Sequence, residues 1–198
     1  MSTIAVLGRG RVGGTLATAL GGAGHHVLSA GREPGAASAA AGAASIVINA
    51  TPGAGALDLL TGLRDELRGT LLVDVSNATV DGPDGLPGDL VYPGSSLAEH
   101  LHDALPETQV VKTLNTMLFP VMAAPALLAQ PPTAFLSGDD DEAKGVVRDL
   151  LVDLTWRPEW ILDLGGIRTA RATEAAILFV PHVIRAQGFV PFAVSVAR

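Results

Sequence analysis

The opening strand and turn constrain this chain most, because apolar residues 4–7 run directly into a glycine-rich turn. That turn matches GxGxxG at Gly8, Gly10 and Gly13. The first glycine permits a tight turn, the second lets the backbone approach a pyrophosphate, and the third lets the next helix pack closely. The N-terminus of that helix presents unpaired amides to an anion. The motif predicts a dinucleotide site at Gly8, Arg9, Gly10, Arg11, Val12 and Gly13.

The surrounding sequence decides whether the motif marks a real dinucleotide site, since a chain with 23 glycines produces chance matches. A helix is expected over residues 11–23, ended by Gly24. The apolar segment 26–30 follows, so the chain has the strand, helix and strand order that the motif requires. This order favours a true dinucleotide site.

The end of the second strand distinguishes the two dinucleotides. An NAD site places a carboxylate there, whereas this chain has Gly31 and Arg32. A guanidinium can hold a 2'-phosphate that a carboxylate would repel, so NADP is favoured. Glu33 leaves NAD as a minor alternative. Arg9 and Arg11 either add positive charge near the phosphates or are solvated loop residues.

Composition excludes several classes of protein. The 198 residues are 48% hydrophobic, enough for one buried α/β domain with a modest appendage. The chain has no run of 18 apolar residues and begins directly with a strand, which predicts a cytoplasmic protein without a membrane partner. It contains no cysteine, and its net charge of −7 argues against nucleic acid. No metal site is expected.

Apolar strands alternate with helical stretches along the rest of the chain. Because these strands lack polar alternation, they indicate a parallel sheet covered on both faces. The predicted fold class is α/β, a doubly wound parallel-sheet Rossmann fold with a C-terminal helical appendage. The further strands are expected at residues 46–50, 70–75, 110–114 and 133–136, and the helices at 54–66, 96–104, 119–130 and 140–153.

The chain is predicted to divide into a dinucleotide-binding unit, residues 1–164, and a C-terminal helix and tail, residues 165–198. A helix over 167–187, kinked at Pro181, is apolar on more than one face. That surface favours a homodimer and closure of the pocket, with burial against the parent domain as the alternative. The loop at residues 77–95 is either a lid or an ordinary surface loop.

Several segments together resemble the NADP-dependent deazaflavin (factor 420) oxidoreductases. Their order and spacing along most of the chain carry the resemblance. The matching segments are GxGxxG at 8–13, Gly31 and Arg32, Thr51 and Pro52, residues 73–77, residues 112–116, residues 137–140, and residues 164–166 with 170–174.

The resemblance implies hydride transfer between NADPH and a deazaflavin ring stacked against the nicotinamide. The cofactors supply the reactivity in such chemistry, and the protein supplies position and exclusion of water. No catalytic acid or base is therefore assigned. The segment Ala50, Thr51 and Pro52 would border the nicotinamide, and the shared ring pocket would be lined by Ser76, Asn77, Asn115 and Thr116, whose polar groups would fix the carboxamide and the flavin carbonyls.

One departure from the family follows Arg32. Only the short stretch 34–44 separates the second strand from Ile46, where the family fits a further strand and a second helix. Three consequences stay open: loss of one edge strand, weakened or lost cofactor binding, or a changed electron acceptor.

Charged side chains outside the glycine loop suggest further contacts. An acidic protein should bind the anionic tail of a deazaflavin coenzyme through a local basic patch, with candidates Lys112, Arg168, Arg171 and Arg185. For Arg171 an exposed ion pair with Glu174 is favoured instead. The acidic run 139–142 is explained by helix capping rather than by metal binding.

Two alternative functions remain beside deazaflavin reduction. One is an NADPH-dependent reductase of a small carbonyl or imine metabolite, which would need an acid near Asn115. The other is a non-catalytic NADP-binding sensor or scaffold, favoured by the short segment after Arg32. Turnover of the nicotinamide would distinguish them.

Overall fold

The computed structural model describes residues 1–197, in which strands and helices alternate. The strands are β1 (Thr3–Leu7), β2 (His26–Ala30), β3 (Ile46–Asn49), β4 (Leu71–Asp74), β5 (Thr79–Asp81), β6 (Pro87–Leu90), β7 (Gln109–Lys112), β8 (Ala134–Leu136) and β9 (Ile161–Asp163). The α-helices are α1 (Arg11–Gly22), α2 (Ala36–Gly42), α3 (Ala56–Thr61), α4 (Arg64–Leu67), α5 (Leu97–Ala104), α6 (Phe119–Ala123), α7 (Asp141–Asp153), α8 (Ala170–Ala175) and α9 (Phe179–Gln187).

Five parallel strands form the central sheet in the order β2-β1-β3-β4-β7. Both faces are covered, because alternate residues of β1 belong to two separate apolar clusters. Ile4 and Val6 pack in one cluster with Leu16 and Trp156, and Ala5 packs in the other. This arrangement confirms the predicted doubly wound Rossmann fold with its C-terminal helices.

The short stretch after Arg32 shapes one edge of the sheet. It forms only α2, after which the chain passes to the other side of β1, where Ile46 of β3 pairs with Ile4. No further strand lies beyond β2 in the described residues. Of the three consequences left open for this stretch, an edge without a further strand is the one seen here, and β2 is that edge.

The segment predicted as a loop at residues 77–95 contains regular structure. β5 and β6 pair as an antiparallel hairpin, with Thr79 opposite Leu90. The prediction was wrong in that respect. The prolines and glycines of this segment indicate a loop, while strands of three and four residues give almost no periodic signal. Leu86, near the hairpin tip, lies in the wall of the cavity described below.

The single helix expected over 167–187 is also corrected. It divides into α8 and α9, joined by one turn of 3-10 helix at Ala176–Leu178. The change of helix type precedes Pro181, which lies in the first turn of α9, where a missing amide costs little.

The chain after α9 returns to the body of the domain. Val194 donates its amide to the carbonyl of Thr116, and Leu118 donates to the carbonyl of Phe192. The final residue of the predicted second unit, Arg198, lies outside the described residues. Residues 1–197 include no helix with the length and apolar character of a membrane span.

The last strands differ slightly from expectation. β8 was predicted within the main sheet, but it pairs with β9 in a separate two-stranded parallel sheet. A single antiparallel bridge, Lys112 to Ser137, joins it to β7. The acidic run is explained as predicted, because Asp140 caps α7 by accepting the amide of Ala143 at 2.7 Å.

Candidate functional site

A cavity of about 330 Å³ lies at the carboxyl ends of the central strands. Ligands bind at this edge in open α/β sheets, because the loops that follow neighbouring strands meet there. The start of α1, the loops after β3, β4 and β7, the tip of the β5–β6 hairpin and the C-terminal segment all contribute to the wall. The lining includes Arg11, Val12, Ala50, Thr51, Pro52, Gly53, Ser76, Asn77, Leu86, Asn115, Phe119, Ile177, Val180, Ile184 and Phe189.

The glycine loop is packed as its motif requires. Gly8 has a φ of +107°, and a Cβ on Gly13 would lie 1.9 Å from the carbonyl oxygen of Gly8. A Cβ on Gly10 would meet no atom within 4 Å. α1 begins after Gly10 with no side-chain cap and no acidic residue in its first turn. The open space at Gly10 and the uncapped helix N-terminus fit a bound pyrophosphate.

The residues at the end of β2 lie at an exposed rim. Arg9 forms an ion pair with Glu33 at 2.7 Å and donates to the carbonyl of Ser29 at 2.9 Å. Glu33, the carboxylate that left NAD as an alternative, is therefore bound to a guanidinium. Arg32 is exposed beside Gly31 and has no ion-pair or hydrogen-bond partner within residues 1–197.

Arg11 contacts two aromatic rings at the mouth of the cavity. Its guanidinium carbon lies 5.5 Å from the ring centre of Phe119 and 5.5 Å from that of Phe189. Both are cation–π distances, and they join the start of α1 to the C-terminal tail. Arg11 is the one charged side chain among the described residues that line the cavity.

A network of buried polar side chains lies beneath the cavity, made of Asn49, Asp74, Ser76, Lys112 and Glu174. We call it the buried network. Lys112, 1% exposed, places its Nζ 2.7 Å from Asp74 Oδ2 and 2.8 Å from Glu174 Oε1. It also donates to the carbonyl oxygen of Ser76. One cation thus satisfies two buried carboxylates, as buried charge requires.

The charge state of Lys112 follows from its neighbours. Burial by itself would lower the pKa of Lys112, but the adjacent carboxylates of Asp74 and Glu174 outweigh burial and raise that pKa above its ordinary 10.5. Lys112 is accordingly cationic at neutral pH.

Glu174 connects this network to two helices. From α8 its carboxylate accepts the backbone amides of Leu97 at 2.9 Å and Ala98 at 3.2 Å, in the first turn of α5. The carboxylate therefore caps α5 while it binds Lys112. The predicted pair of Glu174 with Arg171 is wrong, because Arg171 binds Glu99 instead, with Nε 3.2 Å from Oε2.

Two asparagines are hydrogen-bonded to each other across the end of the sheet. Asn77 donates from Nδ2 to the carbonyl of Asn115 at 2.8 Å, and Asn115 donates from Nδ2 to Asn77 Oδ1 at 2.9 Å. The pair joins the loop after β4 to the loop after β7. Leu114, just before it, has a φ of +58°, an uncommon conformation for a branched side chain that often occurs at functional sites.

The structure brings most of the predicted site residues together. Eight of the predicted residues line the cavity: Arg11, Val12, Ala50, Thr51, Pro52, Ser76, Asn77 and Asn115. Thr116 is buried next to Asn115 without lining the cavity, while Gly31 and Arg32 stand apart at the end of β2.

The expected basic patch does not form. Lys112 is paired within the buried network, Arg171 binds Glu99, and Arg185 binds Asp84 of the hairpin. Arg168 alone of the four has no ion pair in the described residues. Sequence reasoning missed Asn49 and placed Glu174 in a surface pair, although both side chains are buried. For Asn49, an asparagine ending an otherwise apolar strand was the available signal.

Comparisons with known proteins show which proteins this chain is similar to. Protein-family models yield no match to the chain. A solved structure from Arthrobacter sp. FB24, provisionally named an F420-dependent NADP-reductase, is 34% identical with a TM-score of 0.91, over 100% of both chains. The hypothetical protein SMa0349 from Sinorhizobium meliloti is 29% identical with a TM-score of 0.67, over 85% of this chain and 88% of that one.

A curated relative matches only part of the chain. The metalloreductase STEAP3 of Rattus norvegicus is 34% identical over 120 residues. The match spans 59% of this chain and 22% of the rat protein. It adds a second reductase to the similar proteins.

The fold, the glycine loop and these relatives define the class, an NADP-dependent oxidoreductase of the Rossmann type. More particularly, the chain belongs to the family of F420-dependent NADP-reductases, the NADP-dependent deazaflavin oxidoreductases. The resemblance found in the sequence is thereby confirmed.

Proposed function

We propose that this protein transfers a hydride between NADP(H) and a deazaflavin coenzyme, with the two rings stacked in the 330 Å³ cavity. The observation that carries the proposal is the chemistry of the lining. Within the described residues it includes no Asp, Glu, His, Lys, Cys or Tyr side chain. Hydride transfer between two rings needs position and exclusion of water, because a reduced deazaflavin ring delocalises its charge and can take its proton from water after the hydride step. Reduction of a carbonyl or imine instead needs a proton donor at the reacting atom.

Each part of the site has a role in this proposal. The glycine loop, Gly8 to Gly13, holds the pyrophosphate, and Gly31 with Arg32 holds the 2'-phosphate. Ala50, Thr51 and Pro52 border the nicotinamide, while Ser76, Asn77, Asn115 and Thr116 surround the shared ring pocket. When bound, the two cofactors would supply the chemistry: a hydride would pass between NADP(H) and the deazaflavin ring, and the proton that accompanies it would be exchanged with water.

The C-terminal segment closes the cavity in this proposal. Ile177, Val180, Ile184 and Phe189 present apolar side chains to the lining, which supports a role in keeping water away from the rings. The proposed second unit, residues 165–198, thus acts on the site formed by residues 1–164.

The test is the absorbance of oxidised deazaflavin coenzyme mixed with NADPH and purified protein. We expect rapid bleaching of the deazaflavin band with NADPH and slower bleaching with NADH. Mixtures without protein are the baseline. Binding of NADPH without bleaching would contradict the proposal and favour a small carbonyl or imine acceptor, or a sensor role. Lack of NADPH binding would contradict the proposal and these two alternatives as well.

We propose further that the C-terminal helix contributes to a homodimer. Exposed apolar side chains are concentrated in the C-terminal segment, where Phe179 is 66%, Phe189 56% and Val190 45% exposed. Several exposed apolar side chains in one segment favour a protein contact. Sedimentation should show a dimer that Phe179→Asp converts to a monomer. Val152→Asp, at an exposed apolar position on α7, is the matched control. A monomeric unmodified protein would contradict the proposal.

A further inference from the structure

Two hydroxyl groups in the cavity lining, those of Thr51 and Ser76, are each bonded to a fixed partner below the cavity. A hydroxyl can donate one hydrogen bond and accept others, so its partners decide what it offers a ligand. Here every partner can be identified as a donor or an acceptor from its chemistry.

The orientation of the Asn49 amide is determined by two groups with one role each. The backbone amide of Thr51 can only donate, and it lies 3.2 Å from Asn49 Oδ1. The carboxylate of Asp74 can only accept, and its Oδ1 lies 2.9 Å from Asn49 Nδ2. Asn49 Oδ1 is therefore an acceptor, and the Thr51 hydroxyl, 2.6 Å away, must donate to it.

The hydrogen-bonding roles of the Ser76 hydroxyl are fixed in the same way. Asp74 forms an ion pair with Lys112 through Oδ2, and its Oδ1 accepts from the Ser76 hydroxyl at 2.8 Å and from the Ser76 amide at 3.1 Å. The second hydrogen of Asn49 Nδ2 points to Ser76 Oγ at 3.2 Å. Ser76 Oγ thus donates once, accepts once and retains one lone pair.

We propose that the hydroxyls of Thr51 and Ser76 form an acceptor-only floor of the cavity that recognises a ligand edge carrying N–H donors. This proposal rests on the proposed function and narrows its chemistry. Two ring edges carry such donors: the carboxamide of nicotinamide and the imide N–H of a pyrimidinedione ring such as that of a deazaflavin.

The same floor excludes one contact that the family resemblance implied for Ser76. Ring carbonyls have no hydrogen to donate, so the Ser76 hydroxyl does not hold the flavin carbonyls. The remaining hydrogen of Asn115 Nδ2, whose other hydrogen binds Asn77, is suited to that contact. Asn49, Asp74 and Lys112 are then positioning residues, since they set the direction of the hydroxyl protons beneath the lining.

Binding of paired ligands to the protein tests the floor without requiring turnover. One arm compares NADP⁺ with its 3-acetylpyridine analogue, which keeps the carbonyl but lacks the carboxamide N–H. The other compares the deazaflavin coenzyme with a form methylated at the imide nitrogen. We expect at least about 10-fold weaker binding of the donor-free ligand in one arm, by titration calorimetry.

Variants of the two hydroxyls show whether they are the source of that preference. Thr51→Val and Ser76→Ala should each reduce the preference toward about 1-fold by weakening the N–H ligand, whereas Thr51→Ser should retain it. The matched control is Thr113→Val: its hydroxyl is buried without a hydrogen-bond partner in residues 1–197, so its loss should leave the preference unchanged.

The possible outcomes separate this inference from the proposed function. A preference in the NADP⁺ arm that Thr51→Val or Ser76→Ala removes supports the floor and identifies the carboxamide; the same result in the other arm identifies the imide. Equal binding of both members of each pair overturns the floor while leaving hydride transfer intact. Failure of the unmodified protein to bind either parent ligand overturns both.

Discussion

The two ends of the candidate site both contain ion pairs, but one end is buried and the other is exposed to water. In the buried network, Lys112 and its two carboxylates are each at most 5% exposed. At the open rim, which comprises Arg9, Arg32 and Glu33, the pair of Arg9 with Glu33 is 54% and 60% exposed. Water weakens the second pair far more than the first. Charge inside the protein fixes geometry, whereas charge at the rim remains available to a ligand.

The largest effect is expected from breaking the buried network. Lys112→Met leaves Asp74 and Glu174 buried without their cation, which should cost about 3–5 kcal/mol of unfolding free energy. Denaturant titration measures this loss. The matched control is Arg68→Met, which also removes a cation shared by two carboxylates, Asp65 and Glu107, but at the surface. Its cost should stay below about 1 kcal/mol, and equal costs would contradict the comparison.

A second pair of variants separates packing from ligand approach within the glycine loop. Gly13→Ala places a Cβ 1.9 Å from the Gly8 carbonyl oxygen and should cost about 1–3 kcal/mol of stability. Gly10→Ala meets no protein atom, so the fold should tolerate it. Its methyl group should instead reduce NADPH affinity by about 10-fold or more. Thermal unfolding and NADPH titration of both variants measure these effects. A larger stability loss in Gly10→Ala than in Gly13→Ala would contradict the assigned roles.

The open rim is tested through Arg32. Arg32→Ala should weaken NADPH by about 10-fold, near 1.4 kcal/mol, through loss of a charge-assisted contact with the 2'-phosphate. NADH lacks that phosphate and should bind unchanged. Arg64→Ala, at an exposed arginine that donates to the Ala104 carbonyl, serves as the control. Equal losses for the two nucleotides would remove this role from Arg32.

The smallest effect concerns the contact that holds α8 against α5. Partial burial alone would raise the pKa of Glu99, but hydrogen bonds from Arg171 and Ser96 outweigh it and hold that pKa below its ordinary 4.5. The contact therefore stabilises the fold above about pH 4.5 and is lost as the pH falls through the lowered pKa. Because Arg171 is 37% exposed, we expect less than about 1 kcal/mol.

Melting temperatures between pH 7 and pH 3 check this contact. Glu99→Gln should be less stable than the unmodified protein at pH 7 and should approach it at the acid end. A difference that stays constant over the whole range would show that the charge of Glu99 contributes nothing.

Much of the fold was predictable because its signals are local. The apolar runs of β1, β3 and β4 and the break at Gly24 each involve a few consecutive residues. Asp140 was predicted as a cap from its place before a helix. The β5–β6 hairpin was not predicted, since strands of three and four residues between glycines and prolines carry too little pattern.

The sequence by itself determined the glycine loop, the parallel sheet, the shortened edge after Arg32 and the family, because each depends on residue types at short spacing. Only the tertiary structure decided that Glu174 binds Lys112 rather than Arg171, and that Asn49 and Asp74 direct the protons of Thr51 and Ser76. Glu174 and Lys112 are far apart in the chain. The packing of α8 against α5 brings Glu174 to Lys112 at the end of β7, and burial makes that contact strong.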